Sequence, residues 1–212
     1  MKNIKKILAL LSGTAICAVS MFSTAVSADS TLTKDYKYTY RAVLESTKSN
    51  QNISDIVWSY SFAKSGNYVR PFVKALVYGS NPTTGGAGTT YYSVGSNYKA
   101  DKPINSAVPI LTVSVYSCKN TIKEGSKLIN AKNTKGQSVS GLRFKETFLV
   151  GDLNNDKTVD GRDYSLVYDR IDVKHNYSYD AKYDINNDGK ISSADSIMHH
   201  KFISGQLDRF EA

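Results

Sequence analysis

Two twelve-residue segments of the chain repeat each other: Asp152-Leu-Asn-Asn-Asp-Lys-Thr-Val-Asp-Gly-Arg-Asp163 and Asp184-Ile-Asn-Asn-Asp-Gly-Lys-Ile-Ser-Ser-Ala-Asp195. The period of the repeat is 32 residues, from Asp152 to Asp184. Both copies place oxygen-bearing side chains at positions 1, 3, 5, 9 and 12. Turns are often rich in Asn and Asp, but a chance turn would not repeat the same register. This spacing is the one by which a short loop surrounds a hard cation.

Calcium is the cation that this spacing predicts, because Ca²⁺ takes about six to eight oxygen ligands and alternate residues of a tight loop point inward. The predicted ligands in the first loop are Asp152, Asn154, Asp156, the carbonyl of Thr158, Asp160 and Asp163. The predicted ligands in the second loop are Asp184, Asn186, Asp188, the carbonyl of Lys190, Ser192 and Asp195. The sequence therefore predicts two bound calcium ions, one in each loop.

The two loops differ at position 6, where the sharp turn favours glycine. The second loop has Gly189 there, whereas the first has Lys157. We therefore expect Lys157 to adopt a positive φ, a strain that lowers the calcium affinity of the first loop. The first loop, however, carries four carboxylates and the second three, and more negative charge binds calcium more tightly. Because these effects oppose each other, the order of the two affinities stays open.

A short helix is predicted directly after each loop, at residues 163–171 and 195–203. Gly205 follows the second helix at the place where a glycine C-cap is common. No helix is expected in front of either loop. Residues 148–151 are typical of extended chain, and residues 177–183 are polar and rich in turn formers.

The segment from about residue 150 to residue 206 resembles a dockerin, the cohesin-binding module of bacterial cellulosomes. The resemblance rests on Gly151-Asp152-Leu-Asn-Asn-Asp156 and on Tyr183-Asp184-Ile-Asn-Asn-Asp-Gly189, each followed by the rest of a twelve-residue loop and a helix. It implies calcium-dependent folding and high-affinity docking onto a cohesin of a scaffoldin. It further implies that the attached part of the chain joins a polysaccharide-degrading complex outside the cell.

The resemblance also implies which residues face the cohesin, because in dockerins these lie at loop positions 10 and 11 and on the following helix. The corresponding residues are Gly161, Arg162, Ser193 and Ala194. The two pairs differ in size and charge, so we expect one preferred docking orientation. Arg162 could anchor a partner through its guanidinium or remain a solvated charge, and which pair docks stays open. As in many dockerins, Phe148 and Phe210, which flank the segment, would hold its two ends together, unless they are unrelated core residues.

Residues 29–147, which we call the front module, are predicted to be β-rich. They contain 10 of the 15 tyrosines, the only tryptophan, and 16 Lys and Arg against 7 Asp and Glu. Apolar and polar residues alternate with a period of two in five runs, separated by turn signals. The runs are residues 36–44, 56–62, 69–78, 108–116 and 142–149. The predicted fold is a small antiparallel β-sandwich or barrel, joined to a small all-α calcium-loop module.

Carbohydrate binding is the function expected of the front module. Aromatic faces stack on sugar rings, and basic side chains would hold an acidic polysaccharide or an anionic cell-wall polymer. The candidate exposed platforms are Trp58, Tyr60, Tyr91, Tyr92 and Tyr98, although any of them could be a core residue instead. Two alternatives stay open: a small glycoside hydrolase with a carboxylate pair such as Glu45 and Glu146, and an antibacterial or structural passenger. All three histidines lie outside the front module, so it cannot build a Ser-His-Asp or Cys-His centre by itself, and no catalytic residue is assigned.

The first 28 residues have the composition of a secretory signal peptide. Three lysines precede a mostly apolar stretch that ends in Val26-Ser27-Ala28. After them the chain keeps one cysteine, Cys118, so no internal disulfide framework is expected. We therefore predict a signal peptide at 1–28, the front module at 29–147 and a C-terminal module at 148–212. The protein is expected to be extracellular and cellulosome-bound, with no nucleic-acid or membrane partner.

Overall fold

The computed structural model describes residues 36–48, 53–63, 70–75, 85–87, 91–99, 109–120, 123–145, 147–171 and 177–210. The signal peptide predicted at residues 1–28 and the first residues of the front module lie outside this set. None of the described helices is both long enough and apolar enough to cross a membrane.

The front module contains two antiparallel sheets, in agreement with its alternating pattern. The described strands are β1 Tyr38–Ser46, β2 Ile53–Ala63, β3 Arg70–Ala75, β4 Gly85–Ala87, β5 Tyr91–Lys99, β6 Leu111–Ser117, β7 Lys123–Asn133, β8 Leu142–Phe144 and β9 Phe148–Leu149. The first sheet has the order β3-β6-β1-β8, and β9 also pairs with β1. The second sheet has the order β4-β5-β2-β7. The predicted β-rich fold class is confirmed.

One apolar core lies between the two sheets. Its buried residues alternate along the strands: Tyr40, Ala42 and Leu44 from β1, Ile56, Trp58 and Tyr60 from β2, and Leu111, Val113 and Val115 from β6. Phe144 of β8 packs edge-on against Tyr60, with ring centroids 4.8 Å apart. Because successive side chains of a strand point to opposite faces, these residues define the inward faces of both sheets.

The outward face of the first sheet is buried as well. Thr39 and Arg41 of β1, and Thr112 and Ser114 of β6, lie on this face and are at most 1% exposed. The C-terminal module covers them, and the hydroxyl of Thr39 donates to the carbonyl of Phe210 at 2.6 Å. The first sheet is therefore the middle of three layers, between the second sheet and the C-terminal module.

Strands β4, β5 and β7 have no counterpart among the predicted runs. Strand β4 consists of glycine and alanine and β7 is rich in lysine and asparagine, all weak strand formers, while β5 mixes tyrosine and valine with serine, glycine and asparagine. The long strand β2 pairs with β5 on one side and with β7 on the other, so tertiary pairing overrides their local preference. The predicted run at 142–149 is divided into β8 and β9, both of which pair with β1.

The C-terminal module contains the two described helices, α1 Gly161–Ile171 and α2 Ser193–Ile203. Each begins two residues earlier than predicted and ends at the predicted residue. Ser192 caps the start of α2, and Gly205, with φ 73°, follows its end as expected of a glycine C-cap. The core of this module consists of Val150, Leu153, Val167, Ile185 and Phe210.

Candidate calcium loops and docking surface

The aspartate at position 1 of each loop binds the backbone amides of positions 5 and 6. Asp152 accepts hydrogen bonds from the N–H groups of Asp156 and Lys157, at 3.1 and 3.0 Å. Asp184 accepts the equivalent bonds in the second loop, at 3.0 and 2.8 Å. Both carboxylates therefore stabilise the same tight turn.

The aspartate at position 12 closes each loop. Asp163 accepts hydrogen bonds from the N–H groups of Asn154 at position 3 and Asp160 at position 9, at 3.1 and 3.0 Å. Asp195 accepts the bonds from positions 3 and 9 of its own loop, at 3.1 and 2.7 Å. The two loops therefore share the same hydrogen bonds as well as the same sequence pattern.

Positions 3 and 5 are also equivalent in the two loops. The asparagine Oδ1 at position 3 accepts from the N–H of position 5, at 2.8 Å in the first loop and 3.0 Å in the second. The aspartate at position 5 accepts from the N–H of position 7, at 2.8 and 2.9 Å. These hydrogen bonds tie the side chains of the predicted ligands to the backbone of their own loop.

Positions 4 and 6 have positive φ in both loops. Asn155 and Asn187 at position 4 have φ 61° and 57°, and Gly189 at position 6 has φ 85°. Lys157 has φ 69°, which confirms the predicted left-handed lysine. Asparagine enters this region more readily than most residues and glycine does so without penalty. The strain of the first loop therefore falls on Lys157.

The chemistry of the donors fits a hard divalent cation. The aspartates at positions 1 and 12 are at most 5% exposed, and none of them takes part in the ion pairs between described residues. Burying carboxylates costs free energy, and burial raises the pKa of Asp195. Among the described residues, no three or more His, Cys, Asp or Glu side chains are arranged as a metal site. In each loop, amide, hydroxyl or carbonyl oxygens would join the carboxylates around a calcium ion.

Two side chains from outside the second loop, the half-buried Tyr179 and the buried Arg41, bind its first residues. The hydroxyl of Tyr179 donates to the carboxylate of Asp184 at 2.6 Å. Arg41 of β1 donates to the backbone carbonyls of Asp184 and Ile185, at 2.5 and 3.2 Å. Burial lowers the pKa of Arg41 to about 10, while the charges of Asp184 and Asp195 act in the opposite direction. Sequence reasoning missed Arg41, because the contact joins residues 143 positions apart.

In the first loop, an arginine of the loop itself pairs with two of the acidic side chains. Arg162 forms ion pairs with the carboxylates of Asp156 and Asp160, each at 2.7 Å. The hydrogen bond from Arg162 lowers the pKa of Asp160. The Arg162 side chain is 66% exposed, so these pairs contribute little to stability. Arg162, the candidate docking anchor, is therefore bound to two predicted calcium ligands of its own loop.

All four residues expected to face a cohesin are exposed: Gly161, Arg162, Ser193 and Ala194. The structure adds three exposed apolar side chains, Leu166 (37%) and Tyr168 (64%) on α1 and Ile197 (54%) on α2. Leu166 lies four residues after Arg162, and Ile197 lies three residues after Ala194, so each shares a helix face with the expected residue. Helical spacing alone could have identified both. We call Gly161, Arg162 and Leu166 the α1 stripe, and Ser193, Ala194 and Ile197 the α2 stripe.

Phe148 and Phe210 hold the two ends of the C-terminal module together, as predicted. Phe210 is 1% exposed, Phe148 packs against the same core, and the ring of Phe202 stacks on Phe210 with centroids 4.4 Å apart. His199, also buried, donates from Nε2 to the carbonyl of Gly151 at 3.0 Å. Burial lowers the pKa of His199, which favours the neutral imidazole.

The expectation that Trp58 and Tyr60 are exposed platforms is wrong. Each is 1% exposed, because both lie on the inward face of β2 and fill the core between the sheets. Tyr91, Tyr92 and Tyr98 lie on β5, and their side chains are outside the described part of the chain. Glu45 binds Arg143 at 2.8 Å and Lys145 at 3.4 Å. Its suggested partner Glu146 is outside the described residues.

Residues 150–204 match the family model of the dockerin type I domain, in agreement with the resemblance drawn from the loops. The matched segment contains both loops and both helices. It implies a cohesin partner and an extracellular, cellulosome-type setting. No curated protein and no solved structure matches the chain.

Proposed function

We propose, from the match of residues 150–204 to the dockerin type I domain, that the protein is secreted and docks onto a cohesin of a scaffoldin when calcium is bound. Docking brings the front module into a polysaccharide-degrading complex. The observation that carries the proposal is the hydrogen-bonded loop that occurs twice within the matched segment. Each loop takes one calcium ion, held by the six ligands predicted from the sequence.

The cohesin binds in one preferred orientation, through the α2 stripe. This stripe carries no charge, and Ile197, 54% exposed, offers apolar area that a partner can bury. The α1 stripe contains Arg162, whose guanidinium is engaged with Asp156 and Asp160. Burying that charged cluster under a partner would require its desolvation, which opposes docking through α1.

The front module binds an acidic polysaccharide or an anionic cell-wall polymer. The front module contains 16 basic and 7 acidic residues, and this excess of positive charge supports the proposal. The aromatic candidates that remain are Tyr91, Tyr92 and Tyr98, since Trp58 and Tyr60 are core residues. Glu45 is engaged with two basic side chains, an arrangement that favours a structural role over a place in a hydrolase centre.

Binding to a panel of immobilised cohesin modules tests the docking proposal. We expect binding in calcium, loss of binding in EDTA, and a parallel loss of helical circular dichroism, because the loops and helices fold with the metal. Excess calcium should restore both signals. Unchanged helical signal together with unchanged cohesin affinity in EDTA would show that the module does not depend on calcium.

A polysaccharide array at low and moderate salt tests the front module. Saturable binding to one glycan that survives moderate salt, and that falls on replacement of Tyr91, Tyr92 or Tyr98 by alanine, supports a carbohydrate-binding role. Fluorescence of Trp58 reports whether each variant keeps its core. Binding that disappears with modest salt would reduce the effect to general charge attraction.

A further inference from the structure

The second loop lies against the outward face of the first sheet through a buried polar contact. The guanidinium of Arg41 on β1 donates to the backbone carbonyls of Asp184 and Ile185, which occupy positions 1 and 2 of the loop. Arg41 Nε lies 3.4 Å from the hydroxyl of Ser114 on the neighbouring strand β6. Arg41 is 0% exposed, so one buried side chain links the front module to a calcium loop.

The buried guanidinium of Arg41 depends on the second loop for hydrogen-bond acceptors. Its direct hydrogen-bond partners are uncharged oxygen atoms, and it takes no part in the ion pairs between described residues. If this loop moved away, the buried guanidinium would lose the two carbonyl acceptors that the loop provides, which is costly.

A second buried contact strengthens the same junction. The side chains of Thr112 on β6 and Asn187 at loop position 4 exchange hydrogen bonds at 3.1 and 3.0 Å. Both residues are 1% exposed. The first loop, by comparison, receives an exposed hydrogen bond, from Asn120 to the carbonyl of Lys157. The second loop is therefore the one that the front module holds through buried polar groups.

We propose that the second calcium loop and the front module form one cooperative unit joined by Arg41, so that calcium in this loop stabilises the β-sandwich. Arg41 acts as a positioning residue, because it holds the main chain at the first two positions of the loop. By reciprocity, the folded front module stabilises the calcium-bound form of the loop. The inference rests on the calcium binding proposed above and adds that a metal site in one module includes a residue of the other.

Thermal unfolding of the full two-module protein tests the coupling with two signals. Trp58, buried in the front core, reports the sandwich by fluorescence, and far-ultraviolet circular dichroism reports the helices. Calcium at about a hundred times its dissociation constant should raise the Trp58 midpoint by about 5 °C or more. Asp188→Ala in the second loop should remove most of this shift. Asp156→Ala, the equivalent exposed ligand of the first loop, should leave most of it.

Arg41→Met gives an independent test, with Arg143→Met as the control that removes an exposed arginine from the same sheet. In Arg41→Met the Trp58 midpoint should no longer respond to calcium, whereas Arg143→Met should respond like the natural chain. Should Arg41→Met not fold, the Asp188 and Asp156 pair decides alone. An equal loss of the shift in both ligand variants would overturn the coupling.

Calorimetric titration with calcium separates calcium binding by the loops from the coupling of that binding to the front module. Calcium heats with no movement of the Trp58 midpoint would overturn the coupling and leave the calcium-dependent dockerin intact. Absence of any calcium heat would overturn both. Calcium heats together with a Trp58 shift that depends on Asp188 and Arg41 support the cooperative unit.

Discussion

The ring of Phe210 lies so close to Gly151 that a Cβ atom at position 151 would be 2.4 Å from Cε2 and 2.8 Å from Cζ. Gly151 also has φ 89°, a conformation that residues with side chains rarely adopt. The carbonyl of Phe210 accepts the hydrogen bond from Thr39 on β1. Phe210 thus contacts both Gly151, directly before the first loop, and the outward face of the first sheet.

Gly151→Ala should destabilise the C-terminal module by about 2–5 kcal/mol. The left-handed conformation costs an L-residue about 1–2 kcal/mol, and displacement of a buried ring adds about 1–3 kcal/mol. Urea unfolding in calcium, followed by circular dichroism, measures the change. Gly161→Ala is the matched control, because a Cβ at Gly161 meets no atom within 4 Å and its φ is ordinary. Equal stability of the two variants would contradict the close packing of Phe210 on Gly151.

Lys157→Gly should stabilise the calcium-bound protein by about 0.5–1 kcal/mol. Glycine adopts φ near 69° without the steric cost that lysine bears, although the greater freedom of the unfolded chain offsets part of the gain. The reverse change at the equivalent position, Gly189→Lys, should cost about 1 kcal/mol. A Cβ at Gly189 meets no atom within 4 Å, so backbone strain alone acts there. Unfolding free energies that change in the same direction for both variants would rule out this account.

The C-terminal module could be predicted from the sequence because its determinants are local. In each 32-residue repeat, the predicted ligands and the helix that follows them are close together along the chain. The positive φ of Lys157 is likewise set by its position in the loop. Each loop binds its own amides, so the spacing of aspartates is enough to specify the turn. The family match at residues 150–204 agrees with this local pattern.

The outward face of the first sheet could not be predicted in this way. Thr39, Arg41 and Thr112 are the polar residues of an alternating pattern, and such a pattern normally indicates a solvent-facing side. They are buried because a module far along the chain covers them and satisfies their hydrogen bonds. Trp58 and Tyr60 are candidates for exposed platforms by sequence but are buried. Alternation along a strand does not show whether an aromatic side chain faces the core or the solvent.

Thr112→Val should destabilise the protein by about 1–3 kcal/mol. The change keeps the shape of the side chain but removes the hydroxyl that exchanges hydrogen bonds with Asn187, so the buried Asn187 amide loses these two hydrogen bonds. Unfolding followed by Trp58 fluorescence measures the loss. Thr47→Val removes an exposed hydroxyl that donates to Gly141, and water replaces that bond, so its cost should stay below about 0.5 kcal/mol. Equal costs for the two variants would show that the junction does not depend on this contact.

Ile197→Arg should weaken cohesin binding at least about tenfold, which corresponds to about 1.4 kcal/mol or more. An interface that covers Ile197 would then bury an unpaired guanidinium, whereas the free protein keeps the new side chain in water because position 197 is 54% exposed. Leu166→Arg places the same charge on the α1 stripe and should change the affinity less than about threefold. Calorimetric titration with cohesin in calcium measures both affinities, and circular dichroism confirms that both variants keep their helices. A larger effect at Leu166 would place the docking surface on α1, and equal effects would show that both stripes dock, contradicting the single orientation.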